Sequence, residues 1–173
     1  QNAKPQRIVS LNLCTDILLF DLVAPERIVA LSHSASDPRA SPIAERVQPI
    51  RRIRGEAEEV LALSPDLVLA AEFTAPATIS MLERLKLRVV KIPMAQDIAG
   101  VRTSLLRVAE ATGDTEKARA AIAAFDARLA RARAASAPEE KRPTAVIYQI
   151  NGILSGTGLL EDEALSHAGF RNL

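Results

Sequence analysis

Short apolar runs alternate with helical patterns along the first half of the chain. The runs are rich in aliphatic and β-branched residues, which is typical of buried strands, and polar turn residues bound them. The predicted strands are Arg7–Asn12, Arg27–Leu31, Ile50–Arg54, Leu67–Ala71 and Arg88–Ile92. Strands that are separated by helices of this length usually pair in parallel. The pattern therefore predicts an α/β fold, a parallel sheet with helices on both faces.

Helix start signals follow most of these strands. Thr15 can cap a first helix with Asp16 in its first turn, and the Ser41-Pro42 pair is typical of a second helix start. A third helical pattern covers 56–63, and a fourth opens at Thr74 and Pro76. In open sheets of this kind, ligands bind at the carboxyl ends of the strands. The candidate ligand loops are therefore 12–15, 32–39, Gly55 and 72–75.

Two longer helical patterns follow the sheet. The first runs from Asp97 to Thr112 and stops at Gly113, a residue that suits a left-handed helix end. The second runs from about residue 114 to about residue 135 with a narrow apolar stripe and a basic opposite side. At 1.5 Å per residue it is about 30 Å long, which suits a strut between two lobes.

A strand pattern returns at Thr144–Ile150, and a helical pattern at Leu159–Ala168 precedes the end of the sequence. One strand and one helix do not bury a core of their own. We therefore expect the start of a second α/β lobe that is incomplete in this chain. The predicted organisation is an amino-terminal lobe over 1–113, a connecting helix over 114–137 and the beginning of a second lobe over 138–173.

Composition narrows the function classes. The 173 residues carry 22 basic and 21 acidic side chains, a net charge of +1, which argues against a nucleic-acid-binding protein. The basic run Arg51, Arg52, Arg54 is either a solvated strand end or the anion-attracting rim of a pocket. No apolar run approaches the roughly 20 residues that span a bilayer, and no secretory leader is present in this chain.

Cys14 and His33 end neighbouring predicted strands, so a nucleophile and base pair with Asp16 or Asp37 as orienting carboxylate is one interpretation. However, no nucleophile elbow and no phosphate-binding glycine loop are present. A tight metal site needs three or four ligands, and the first lobe offers one histidine. We therefore predict no metal site, no cofactor and no enzymatic activity.

The order of elements resembles the solute-binding proteins that deliver vitamin B12, ferric siderophores or haem to ABC importers. The resemblance covers essentially the whole chain, and its stretches are PQRIVSLNLCTDILL, PERIVALSHSASDP, EEVLALSPDLVLA and LRVVKIP. It implies two lobes joined by one long helix, with the ligand in the cleft between them. It also implies docking on the membrane permease through a surface carboxylate, which falls on Glu58.

The resemblance further implies a set of ligand-binding residues, placed by position. From the first lobe these are Asn12, Leu13, Cys14, Ser32, His33, Ser34, Glu72 and Phe73, and from the second lobe Tyr148, Gln149 and Asn151.

The implied function is capture of a metal chelate such as a ferric siderophore or cobalamin for an ABC importer. The implied location is periplasmic, or lipid-anchored at the cell surface. A small α/β enzyme that uses Cys14 and His33 is the alternative.

Overall fold

The computed structural model describes residues 3–173. It contains two compact units. The first comprises the residues up to Met94 together with Ser104–Ala118, and the second comprises Ala95–Thr103 and Arg119–Leu173. None of the helices described between residues 3 and 173 is both long enough and apolar enough to cross a membrane.

The first unit is built on a parallel sheet of five strands in the order β3-β2-β1-β4-β5. The strands are β1 (Ile8–Ser10), β2 (Ile28–Ser32), β3 (Arg52–Ile53), β4 (Leu67–Ala71) and β5 (Val89–Ile92). Every predicted strand is present, which confirms the α/β class. Each β4 residue is buried, as expected for a central strand of a sheet covered on both faces.

Helices cover both faces of this sheet. They are α1 (Leu13–Leu22), α2 (Ala57–Ala62), α3 (Pro76–Arg84) and α4 (Ile98–Thr112), whose last residues belong to this unit. Successive β4 side chains point to opposite faces. Leu67 and Leu69 pack in one core with α1 and α4, while Val68 packs in the other with α2 and α3.

The amino end of the sheet is closed by a buried ion pair. Arg27 donates from Nη1 to Oδ2 of Asp114 at 2.7 Å, and its other nitrogens donate to the carbonyl oxygens of Pro5 and Thr112. Lys4 donates to the second oxygen of Asp114 at 3.1 Å. The residues just before β1, the residues just before β2 and the end of α4 are thereby joined at one point.

Two local predictions in this unit are wrong. Asn12 rather than Thr15 caps α1, because its Oδ1 accepts the backbone N–H of Cys14 at 2.8 Å. The residues after Ser41 form successive turns instead of a helix. Pro49 lacks the N–H group that a helix continuing through this position would need, and Ile43 and Val47 reach the core from these turns.

A long helix, α5 (Thr115–Ala134), begins in the first unit and continues into the second from Arg119. The second unit also contains α6 (Leu160–His167) and a two-stranded parallel sheet. That sheet pairs β6 (Thr144–Ala145) with β7 (Arg171–Asn172). The predicted strand Thr144–Ile150 is therefore too long. Its later residues turn back, and Tyr148 forms an isolated antiparallel bridge with Leu154.

The length of α5 agrees with the predicted strut. The lobe boundaries at residues 113 and 137 remain predictions.

Candidate functional site

The carboxyl ends of the first-unit strands surround an open pocket of about 300 Å³. The residues that follow β1, β3 and β4 form its walls, together with the start of α3. This is the expected place for a binding site at this edge of a parallel sheet. The lining residues are Leu11, Asn12, Arg54, Gly55, Glu56, Phe73, Thr74, Ala75 and Thr78. Two predicted ligand residues, Asn12 and Phe73, thus line the same pocket.

Asn12 stands at the junction of β1 and α1. Its side chain caps the helix, and its carbonyl oxygen accepts the hydroxyl of Thr15 at 2.8 Å. Leu13 and Cys14 form the start of the helix, with Leu13 half-buried and Cys14 exposed as a free thiol. The cap therefore fixes the direction in which these predicted residues leave the sheet.

At the end of β2, a buried serine, Ser32, is followed by an exposed histidine, His33. Ser32 is buried, and both its N–H and its hydroxyl donate to the carboxylate of Asp16. His33 is exposed and begins a short 3₁₀ turn that also contains Ser34. These residues lie at the same sheet edge but are not among those that line the pocket.

The segment after β4 presents Phe73 to solvent with 74% of its surface exposed. Thr74 closes this turn, because its Oγ1 accepts the N–H of Ala71 at 3.1 Å. The neighbouring Glu72 carboxylate accepts the N–H of Met94 at 3.3 Å. Glu72 therefore ties the ends of β4 and β5 together, whereas Phe73 remains free to contact a ligand.

Arg54 is the pocket residue that the predicted ligand set omits. Its backbone is held in place because one oxygen of Glu59 accepts the N–H groups of Arg54, Gly55 and Glu56 at 2.9, 3.1 and 3.4 Å. Its guanidinium forms no hydrogen bond or ion pair with the described residues, 3–173. The guanidinium of nearby Arg52 instead donates hydrogen bonds to backbone carbonyl oxygens. Of the two interpretations of this basic run, the geometry favours a pocket rim at Arg54.

Asp16 lies fully buried beneath these loops. Burial raises its pKa to about 6 from the ordinary 3.8, although hydrogen bonds from Ser10 and Ser32 and the nearby His33 act in the opposite direction. The carboxyl group therefore changes charge in the mildly acidic range.

The geometry does not assemble the alternative catalytic triad. Asp16 is bound to Ser32, and Asp37 is bound to Arg39, which holds the pKa of Asp37 below its usual value. No hydrogen bond joins Cys14 to His33 in the described part of the chain. Within residues 3–173, no group of three or more His, Cys, Asp or Glu side chains is placed to hold a metal ion.

The predicted second-lobe residues lie in the second unit. Tyr148 is 72% exposed, while the side-chain amide of Gln149 donates to Ser155 at 3.0 Å. Asn151 takes a left-handed backbone conformation with φ 66° in the turn that follows. A separate pocket of this unit is lined by residues of the Glu139–Arg142 segment, α6 and β7, and includes none of the three.

Glu58 is exposed in the first turn of α2, where a carboxylate favours the helix dipole. Its neighbours Glu56 and Glu59 form a capping box, so their carboxylates are occupied by backbone N–H groups. Glu58 is thus the carboxylate of this helix start that remains available to a partner.

Comparison with known proteins decides the family. A family model described as periplasmic binding protein matches residues 8–173. The chain belongs to the periplasmic binding protein family. A curated relative, an uncharacterized ABC transporter substrate-binding lipoprotein of Bacillus subtilis, is 27% identical over 118 residues. That alignment covers 66% of this chain and 37% of the relative.

Solved structures of periplasmic binding proteins share the fold. A periplasmic heme-binding protein from Pseudomonas aeruginosa matches with a TM-score of 0.75 and 25% identity, over 97% of this chain and 62% of that protein. The vitamin B12-binding protein of Vibrio cholerae matches with a TM-score of 0.70 and 20% identity, over 98% and 66%. This chain therefore spans only part of the length of its relatives.

The family and these relatives are described as binding proteins, one of them of an ABC transporter, which confirms the prediction that the chain is not an enzyme. Their ligands differ, so the family alone does not specify which molecule is bound.

Proposed function

We propose that this chain is the ligand-binding component of an ABC importer, which captures a metal chelate and delivers it to a membrane permease. The observation that carries the proposal is the family match over residues 8–173, together with the open pocket at the carboxyl ends of the strands. We further propose a periplasmic or lipid-anchored location, since the Bacillus subtilis relative is named a lipoprotein and the structural relatives are named periplasmic.

The pocket supports a ligand that combines apolar surface with negative charge. Phe73 offers an exposed aromatic face, and Arg54 offers a guanidinium that pairs with no other residue between 3 and 173. A guanidinium is well suited to carboxylate and other oxyanion groups. We therefore favour an anionic chelate, such as a ferric siderophore or haem with its carboxylates, over uncharged cobalamin.

The remaining predicted residues complete this proposal. Leu13, Cys14, Ser32, His33, Ser34 and Glu72 would extend the first-lobe surface, and Tyr148, Gln149 and Asn151 would contribute from the second lobe. Glu58 would dock on arginine side chains of the permease.

A binding panel tests the proposal. The protein is produced in the longest form that its gene encodes, and is titrated with haemin, cyanocobalamin, ferrichrome and a ferric catecholate while its intrinsic fluorescence or the heat of binding is followed. We expect saturable binding of at least one of these chelates, with an anionic one tightest. Absence of binding to every member would contradict the transport function.

A further inference from the structure

Asp16 connects the two segments that follow β1 and β2. It lies in the first turn of α1 and has no exposed surface. Its Oδ1 accepts the backbone N–H of Ser32 at 3.2 Å, and its Oδ2 accepts the Ser32 hydroxyl at 2.5 Å. Ser32 ends β2, and His33 follows directly. One carboxylate therefore holds the His33 segment against the start of α1.

A second set of buried hydroxyl groups supports this contact. Ser10 ends β1, and its Oγ lies 2.7 Å from Oγ1 of Thr15, the residue before Asp16. Thr15 in turn donates to the carbonyl oxygen of Asn12, which lines the pocket. Polar groups thus form a continuous buried layer directly below the residues that we assign to ligand binding.

Among the described residues, His33 is the cationic group that acts on this carboxylate, and it forms no hydrogen bond with it. Of the elements packed against it, β1 (IVS), β2 (IVALS) and β4 (LVLAA) carry no titratable side chain, and the turn after β2 contributes only His33. On α1 itself the other titratable groups are Cys14, which is exposed, and Asp21, which faces Arg46 at 3.8 Å. A buried carboxylate without a hydrogen-bonded cation is costly, and such groups cluster at functional sites.

We propose that Asp16 is a positioning residue of the binding site, which holds the Ser32–Ser34 segment in its binding geometry as the neutral acid and loosens it when ionised. This inference rests on the proposed function, because Ser32, His33 and Ser34 matter only if ligand binds at this edge. Proton loss, as the pH rises through the mildly acidic range, then weakens ligand binding.

The burial of the carboxyl group gives the direction of this effect. Burial penalises the ionised carboxylate more than the neutral acid, and the hydrogen bonds from Ser10 and Ser32 do not offset that penalty. The closed contact therefore binds a proton more tightly than a solvated Asp16 would, so protonation favours the contact and ionisation favours its opening. As Asp16 ionises, the segment that bears His33 loses part of its preorganisation.

Nuclear magnetic resonance on the 173-residue chain tests the contact without a ligand. The Asp16 carboxyl carbon and the Ser32 backbone amide are followed from about pH 8 to about pH 4.5. We expect both to show one shared inflection near pH 6. The titration is repeated with His33→Gln, which removes the neighbouring imidazole, and with Asp16→Asn, which should abolish the Ser32 inflection.

Asp21→Asn is the matched control, because it removes an exposed carboxylate from the same helix. It should leave the shared inflection unchanged. The inference would be overturned if the chemical shift of the Ser32 amide did not change while Asp16 titrated. It would also be overturned if Asp16 titrated at the pH of an ordinary, solvent-exposed aspartate. The wild-type and His33→Gln titrations decide this even if Asp16→Asn does not fold.

A binding arm separates this inference from the proposed function. The affinity for whichever chelate of the panel binds is measured across the same pH range. We expect about a fivefold loss for the wild type as pH rises through 6, the factor that one weakened hydrogen bond gives. Asp16→Asn, which stays neutral, should not show this loss, and Asp21→Asn should follow the wild type.

Equal pH dependence in the wild type and Asp16→Asn would contradict the role of Asp16 while leaving the transport function intact. Failure of every chelate to bind would instead contradict the transport function, and the ligand-free titration would still decide whether Asp16 controls the Ser32 segment.

Discussion

Two buried carboxyl groups of the first unit differ in what surrounds them. Asp16 accepts hydrogen bonds from hydroxyl and amide donors but from no cation, and burial raises its pKa to about 6. Asp114 is also penalised by burial, but Arg27 and Lys4 outweigh that penalty and lower its pKa. The same side chain is therefore favoured as the neutral acid at one position and as the anion at the other.

This difference predicts how stability depends on pH at Asp16. Its folded pKa lies above the unfolded value of 3.8, so its contribution is fully present below about pH 4 and is lost as pH rises through 6. The shift corresponds to about 3 kcal/mol. Asp16→Asn should flatten the dependence of the free energy of unfolding over this window, as measured by urea denaturation.

Asp21→Asn, with its exposed carboxylate, should keep the wild-type dependence on pH. Identical pH profiles for Asp16→Asn and the wild type would contradict the assignment of the raised pKa to Asp16.

Arg54 gives a second prediction at this scale. Because its guanidinium is the pocket group that can pair with an anion, Arg54→Gln should weaken binding of an anionic chelate about tenfold, with the fold unchanged. Arg51→Gln removes a nearby exposed arginine that does not line the pocket and should change binding little. Calorimetric titration measures both, and an equal loss in the two variants would indicate only a general charge effect.

At the scale of elements, Arg27 joins segments that are distant in sequence. Its guanidinium contacts Pro5, Thr112 and Asp114, so the chain before β1 and the end of α4 are held at the start of β2. Gly113 completes this junction with φ 76°, and a Cβ there would lie 2.8 Å from Lys4. The helix α5 therefore begins at a rigidly held point of the first unit.

Removal of the Arg27 side chain should destabilise the fold. Arg27→Ala leaves the carboxylate of Asp114 buried with only Lys4 as partner, so we expect a loss of about 3 kcal/mol in the free energy of unfolding. Arg39→Ala, which removes an exposed ion pair with Asp37, should change the free energy of unfolding little. Thermal or urea unfolding at neutral pH compares the two, and similar losses would show that burial of the pair does not matter.

At the scale of the whole molecule, function requires two separate surfaces. The pocket at the strand ends is the proposed ligand site, whereas the exposed Glu58 on α2 is the proposed contact with the permease. A change confined to the second surface should leave the first untouched. The two activities, binding and delivery, should therefore be separable by mutation.

Glu58→Lys tests this separation. We expect transport of the bound chelate to fall at least tenfold in a reconstituted or cellular uptake assay, while the ligand dissociation constant stays within about twofold, because like charges would then oppose each other at the docking site. Glu45→Lys makes the same charge change at an exposed position outside α2 and should transport normally. Normal uptake by Glu58→Lys, or a parallel loss of binding, would contradict the docking role.

The strands and most helices could be predicted from the sequence because their causes are local. The apolar run of β4 and the Gly113 stop act over a few residues, so pattern alone located them. The predictions that failed depended on competition within the fold. Ile43 and Val47 reach the core from turns, and the strand beginning at Thr144 stops after two residues where the chain turns back.

The sequence by itself thus determined the parallel α/β class, the long helix and the sheet edge at which we propose the site. Only the tertiary structure decided which side chains meet there. Asp16 and Ser32 are separated by 16 residues, and their contact depends on the adjacency of β1 and β2. Arg54 and Phe73 line one pocket because the sheet order places the ends of their strands along the same edge, a relation that no local pattern encodes.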